Sequence, residues 1–172
     1  MKKQFLIILF ISLGFTGNAN AGEVDDNIIK LKTSRSCEGC NLQGAELSGL
    51  KLLRAKLSRA DLRGANLFGA ILALADLRGV NLSGADLSTA DLHNANLSDA
   101  NLSRTYLENA NFENANLIGA DLSYAELENA NLSGAELENA ILSGANLDET
   151  NLTGAIFCET TMTDGSKNDL GC

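Results

Sequence analysis

A leucine recurs at every fifth position through most of the chain, as in ADLSTADLHNANLSDANLS between Ala85 and Ser103. Five residues advance an α-helix by about 500°, so the leucines would spread around the helix axis instead of sharing one face. A plain strand fails as well, because its side chains alternate faces with a period of two and five is odd. The chain must therefore turn once in each five-residue repeat.

Each repeat, or pentad, places one large and one small apolar residue on the same side. When Leu is the centre, the residue two positions earlier points the same way along a short extended segment, and the other three face outward. The register runs without insertion through residues 40–159, which is 24 pentads, and residues 160–164 around Met162 make a plausible further one. Every centre of the 24 pentads is Leu except Phe112 and Phe157.

The small inward position is Ala in all but five of these pentads, which have Cys40, Leu50, Val80, Thr105 and Thr150. The last residue of a pentad is often Gly or Asn, which tolerate a positive φ in a turn. The chain has no proline, so every backbone N–H is available for pairing between coils. A unit this small cannot bury its apolar side alone, and the pattern predicts a solenoid of stacked repeats.

The segments AELSGL, ADLRGANLFGA and NLSGADLSTADL resemble the A(D/N)LXX signature of the pentapeptide repeat family. The resemblance implies an all-β fold, a right-handed quadrilateral parallel β-helix with four pentads per coil. The central Leu or Phe and the small residue would line its interior. On that geometry residues 40–164 make about six coils and a rod roughly 29 Å long.

The first 21 residues have the form of a secretory signal peptide. Two lysines precede an apolar run from Phe5 to Phe15, and Ala19-Asn20-Ala21 forms a small-x-small cleavage site. The run of about 11 residues is shorter than the roughly 20 that span a membrane. The sequence therefore predicts export to the periplasm or the medium, or to the thylakoid lumen in a cyanobacterium. The mature chain would begin at Gly22 and have no transmembrane segment.

The two ends of the repeat are expected to be capped, because the raw edges of a β-helix would otherwise pair with other chains. Residues 22–39 form the predicted N-terminal cap, in which Asp25-Asp26-Asn27 before Ile28-Ile29 and Leu31 indicates a short capped helix. Residues 165–172 form the predicted C-terminal tail or cap.

Four cysteines in an exported chain indicate disulfides, and four allow three pairings. On the rod implied by the family resemblance, Cys37 and Cys40 lie at one end and Cys158 and Cys172 at the other. A bridge needs Cα atoms within about 7 Å, far less than the length of the rod. The prediction is Cys37 with Cys40 and Cys158 with Cys172, with a buried free thiol as the alternative for Cys40.

Outward positions are where the repeats differ, and stacking residues 20 apart brings five apolar ones together. These residues, which we call the apolar patch, are Leu53, Phe68, Ile71, Ala73 and Leu74. Two interpretations are open. The patch binds a protein partner or a second copy of the chain, or the N-terminal helix folds back and covers it.

Charge is uneven along the chain, whose formal net charge is −9. All basic residues of the repeat lie between Lys51 and Arg104, whereas residues 105–159 contain ten acidic residues and no basic one. Stacking places four acidic residues together, the acidic column: Glu108, Glu128 and Asp148, with Glu126 beside them. Two interpretations of the acidic column are open: it is a solvated face, or it attracts Ca²⁺ or a basic protein surface. Such negative charge argues against direct nucleic-acid binding.

No catalytic centre or cofactor site is indicated, because a single histidine, His93, provides no base for any of the many serines. The leading hypothesis is a non-catalytic, exported structural or protein-interaction scaffold. The family resemblance also implies an alternative, an acidic mimic of DNA that binds DNA gyrase, against which the predicted export argues. A Ca²⁺-binding or envelope-associated protein is the third hypothesis.

Overall fold

The computed structural model describes residues 19–172. These residues form one helix, α1 (Ala19–Ser34), then a stack of pentads, and end in two short strands, β1 (Thr160–Thr161) and β2 (Lys167–Asn168). Most of the predicted signal peptide, residues 1–18, lies outside the described residues. Within the described part of the chain, no helix is long and apolar enough to cross a membrane.

The pentads stack as a parallel β-helix in which every bridge joins residues 20 apart. The first bridge is Ser36 with Lys56 and the last is Ile141 with Thr161. One coil therefore takes four pentads. The backbone N–H of Leu42, for example, donates to the carbonyl of Asp61 in the next coil at 2.7 Å, and this pattern repeats along the rod.

Each pentad also contains its own turn. The N–H of Ala45 donates to the carbonyl of Leu42 at 3.0 Å, and Gly44 between them has φ 66°, as in a type II turn. Arg54 and Leu74 occupy the same position with φ 57° and 59°. The ladder between coils holds even non-glycine residues in this conformation, which costs energy in isolation.

The interior is filled by the central and small residues of the pentads. Every central residue from Leu42 to Leu142 is at most 2% exposed. Thr105 at a small position is also fully buried, and its hydroxyl donates to the carbonyl of Leu102 at 2.5 Å. Among residues 19–172, no buried side-chain nitrogen or oxygen lacks a hydrogen-bond partner.

At the N-terminal end, both the helix and the first coil begin earlier in the chain than the sequence predicts. α1 starts at Ala19, before the segment Asp25-Asp26-Asn27 at which the short capped helix was predicted, and its fully buried Leu31 packs on the core. The coil geometry starts at Ser36, within the segment predicted as cap, because Cys37 takes the central position of an additional pentad and is 0% exposed.

The C-terminal tail folds back over the last coil. Strand β2 pairs antiparallel with β1, with Thr160 opposite Asn168. The N–H of Phe157 donates to the carbonyl of Leu170 at 2.8 Å, and the Phe157 side chain is only 8% exposed. Residues 165–172 thus cover the end of the core.

Candidate protein-interaction surfaces

Both ends of the rod carry a disulfide. Cys37 is bonded to Cys40 and Cys158 to Cys172, with Cα separations of 5.2 and 4.9 Å. These are the predicted pairs, and the described chain has no free cysteine. The first bond joins the inward residues of two successive pentads, and the second ties the tail to the last coil.

Three of the five side chains of the apolar patch are exposed. Leu53, Phe68 and Leu74 are 41%, 51% and 43% exposed, and Ile71 is half-buried. α1 packs against the end of the core and leaves these side chains uncovered. Ala73 departs from the prediction, because it is only 1% exposed. Its methyl group lies in one column with the larger side chains of Leu53 and His93, one coil away on either side.

The acidic column lies in the second half of the rod, on the face that carries Phe68 and next to the face of the other four residues of the apolar patch. Glu108 is half-buried and accepts a hydrogen bond from the Ser88 hydroxyl at 3.0 Å, whereas Glu128 and Asp148 are exposed. The bridge between Tyr106 and Glu126 places the fourth carboxylate on the same face. Among residues 19–172, no group of three or more His, Cys, Asp or Glu side chains could hold a metal ion. The Ca²⁺ hypothesis gains no support from this arrangement.

The basic half of the rod contains two intra-pentad ion pairs. Arg63 donates to Asp61 at 2.6 Å and Arg78 to Asp76 at 2.7 Å. The hydrogen bond from Arg63 lowers the pKa of Asp61 below its ordinary value, and Arg78 lowers the pKa of Asp76 in the same way. Part of the positive charge of this half is therefore neutralised within the rod.

His93 lies on the surface, with its Nδ1 atom 2.7 Å from Oδ1 of Asp91. Its position two residues after Asp91 in the same pentad accounts for this contact. The structure therefore gives His93 a surface hydrogen bond, and no nucleophilic side chain is hydrogen-bonded to it among the described residues.

One surface feature escaped the sequence analysis. Tyr124 is 61% exposed, and the guanidinium carbon of Arg104 lies 5.9 Å from its ring centroid. The other side of the ring covers Gly144. These three residues are 20 apart at the turn position, so the same stacking that revealed the apolar patch could have found them.

The family model for pentapeptide repeats matches the chain in 8 copies. The matched segments overlap and extend from residue 36 to residue 164, the same region that forms coils: 36–72, 55–94, 70–109, 95–134 and 125–164. A search of curated proteins finds no match.

Solved structures similar to this chain are pentapeptide repeat proteins. HetL of the cyanobacterium Nostoc sp. strain PCC 7120, involved in heterocyst differentiation regulation, is 33% identical over 77% of this chain and 74% of its own, with a TM-score of 0.48. QnrB1 in a trypsin-treated form, a plasmid-mediated fluoroquinolone resistance protein, is 25% identical over 71% of this chain and 62% of its own, with a TM-score of 0.51. A protein of the Arabidopsis thaliana thylakoid lumen is 34% identical over 61% and 67%, with a TM-score of 0.33.

Proposed function

Because this chain belongs to the pentapeptide repeat family, we propose that it is an exported, non-catalytic scaffold that binds another protein through the outward side chains of its β-helix. The observation that carries the proposal is the disulfide at each end of the rod. Disulfides persist in oxidising compartments and are rare in the cytosol. Both bonds lie where an open coil would fray or pair with other chains.

The construction of the rod supports a binding role. Its interior is uniform, since nearly every inward residue is Leu or Ala, and its polar groups are satisfied internally. The pentads differ from one another mainly in their outward residues, which lie on a rigid surface. Solenoids of this kind present extended faces to partners, and each repeat contacts only its neighbours.

The acidic column is the surface that we assign to a basic partner. Its carboxylates repeat once per coil, and two charges about 4.8 Å apart repel by roughly 0.9 kcal/mol in bulk water. No basic residue in 105–159 offsets this repulsion. A cationic protein surface would relieve it, and the attraction would weaken as salt is added.

Export is tested by fractionating the expressing cell and measuring the intact mass of the recovered protein. We expect a chain that starts at Gly22, lies outside the cytoplasm and is four hydrogens lighter than the reduced form, because two disulfides are present. A full-length, reduced chain in the cytoplasm would refute the export proposal.

The acidic surface is tested by comparing two triple variants in affinity capture from the compartment where the protein is found. The first replaces the column, as Glu108→Gln, Glu128→Gln and Asp148→Asn. The second removes the same charge from other faces, as Glu113→Gln, Glu136→Gln and Glu138→Gln, all exposed in the structure. A partner of the column is lost with the first variant only. Equal capture by both would mean that net charge, and not this face, binds the partner.

A second candidate function comes from the similarity to QnrB1. The family resemblance implies that an acidic face can mimic DNA and bind DNA gyrase, protecting it from inhibitors. The assay is gyrase supercoiling in the presence of a fluoroquinolone, with and without the purified chain. Failure to protect gyrase at an excess of the chain would eliminate this candidate.

A further inference from the structure

One pentad of the apolar patch differs from all others in the repeat. The outward residues of pentad 70–74 are Ile71, Ala73 and Leu74, and no other pentad within residues 40–159 has three apolar outward residues. Leu74 is 43% exposed and adopts φ 59°, a conformation that bulky side chains rarely take. A leucine exposed to water, at a position where most pentads have Gly or Asn, indicates a surface that is covered in the working protein.

The charges on either side of this pentad have opposite signs. Bridges connect Lys51 with Ile71 and Ile71 with Asp91, so the three residues form one column with a step of about 4.8 Å. Along the rod the column is therefore basic, then apolar, then acidic. Reversing the direction of the rod exchanges the two charges and leaves the apolar residue in place.

We propose that this face binds a second copy of the chain, with the two rods antiparallel and related by a two-fold axis that passes between the two Ile71 residues. The axis lies in the interface, perpendicular to the rods, so each column faces its own counterpart in reverse order. Lys51 of each copy then lies opposite Asp91 of the other, and Ile71 and Leu74 pack against their counterparts. A parallel pair would instead place Lys51 against Lys51 and Asp91 against Asp91.

The side chains at both charged positions are available for such a contact. Lys51 is exposed and belongs to no salt bridge within residues 19–172. Oδ1 of Asp91 contacts His93 and accepts from the Asn111 amide at 3.2 Å, whereas Oδ2 has no hydrogen-bond partner in the described chain. Ala73 projects so little, at 1% exposure, that the two faces can approach closely.

The interface is small, since only the coils around Ile71 overlap in the antiparallel arrangement. We expect it to bury less than the roughly 800 Å² per partner of a standard stable complex. We therefore expect a reversible dimer with a dissociation constant of about 10 µM or weaker.

The test is sedimentation velocity of the oxidised chain beginning at Gly22, from about 1 µM to 1 mM. Lys51→Glu or Asp91→Lys alone puts like charges into both pairs of the dimer and should weaken association by about tenfold or more. A one-to-one mixture of the two variants should associate as the parent chain does, because every pair in the mixed dimer is again complementary. Lys56→Glu is the matched control, since Lys56 has the same position in the next pentad on a neighbouring face and should leave association unchanged.

A parent chain that is monomeric at every concentration would overturn the proposal, as would variants that associate normally or a mixture that does not recover. Asp91→Lys removes hydrogen bonds to Asn111 and His93, so its melting curve is measured first. If Asp91→Lys does not fold, Ile71→Lys is used in its place. This variant puts two ammonium groups next to each other on the two-fold axis and must abolish the dimer. The inference goes beyond the proposed function and does not depend on it, because a monomeric chain leaves export and partner binding untouched.

Discussion

The C-terminal disulfide should contribute a large share of the stability of this protein. Cys158 and Cys172 are 14 positions apart, and closing a loop of this length in the unfolded chain is worth about 3 kcal/mol by the chain-entropy relation. Cys158 is half-buried and Cys172 is exposed, so serine at both positions leaves no cavity. The double variant Cys158→Ser/Cys172→Ser should therefore lose about 3 kcal/mol of unfolding free energy.

The loss should begin locally, at the last coil. Without the bond, the tail is held by the β1–β2 pairing, by the hydrogen bond from the Phe157 N–H to Leu170, and by the hydrogen bonds that join Glu159 to Asp169 and Lys167. Opening of the tail exposes Phe157 and the end of the leucine column. We expect amide exchange at Phe157 to accelerate first, since the terminal unit of a solenoid has a neighbour on one side only.

The assay is urea denaturation followed by circular dichroism under oxidising conditions, with hydrogen exchange read by mass spectrometry. Leu170→Ala is the control, because this side chain is 71% exposed and its truncation leaves the disulfide intact. The Cys37–Cys40 bond closes a loop of only four residues, so the variant Cys37→Ala/Cys40→Ala should lose about 2 kcal/mol from chain entropy, plus the packing of the buried Cys37. A loss below about 1 kcal/mol in the serine variant, with unchanged exchange at the tail, would refute the reasoning.

Three further predictions concern the rod itself. Leu97→Ala should cost about 3 to 5 kcal/mol in urea denaturation, because Leu97 is 0% exposed in the middle of the stack and its neighbours cannot collapse into the cavity; a cost below about 1 kcal/mol would contradict the described packing. Gly144→Ala should cost about 0.5 to 1 kcal/mol more than Gly84→Ala, because a Cβ at Gly144 would lie 2.6 Å from Cε1 of Tyr124 and push the ring out of its cation–π contact with Arg104. Gly84 has nearly the same φ, 68° against 69°, and open space around it. Equal melting temperatures for the two would show that the Tyr124 ring does not rest there. Asp61, whose pKa is lowered in the folded state, stabilises the fold above its unfolded pKa and loses this contribution as pH falls through the folded value. Asp61→Asn should therefore melt slightly below the parent chain at pH 7, and the difference should vanish once pH has fallen through the folded pKa of Asp61. A difference that grows on acidification would mean that the sign is wrong.

Most of the interior could be predicted from the sequence, because a leucine at every fifth position determines which residues of each pentad face inward. From Leu42 to Leu142 every central position deduced from period five is buried, and so is every small position except Leu50, which is partly buried. The start of the coils was missed, since Cys37 stands where Leu is expected and Arg35 where Ala is expected. Backbone bridging at Ser36 shows that the pentad conformation tolerates both once a neighbouring coil is present.

The surfaces were predicted less completely. Register alone assigns a residue to an outward position, but exposure depends on the size of the residues one coil away, as Ala73 between Leu53 and His93 demonstrates. The placement of α1 could not be derived either, because its apolar residues would fit the open end of the core or the apolar patch equally well. The buried Leu31 and the exposed Phe68 decide between the two.

The two assigned surfaces have a geometric consequence when they are taken together. In an antiparallel dimer centred on Ile71, the overlap lies in the first half of each rod. Lys51 of each copy then approaches Asp91 of the other near the axis. The acidic columns, which begin at Glu108, then extend from opposite ends of the particle. A partner with two basic sites, or one arranged in an array, would bind both ends and gain avidity that a single rod lacks. A solvated rod does not require the charge asymmetry along the repeat. In the dimer this asymmetry would align the two copies, and it would leave both acidic columns free to bind a partner.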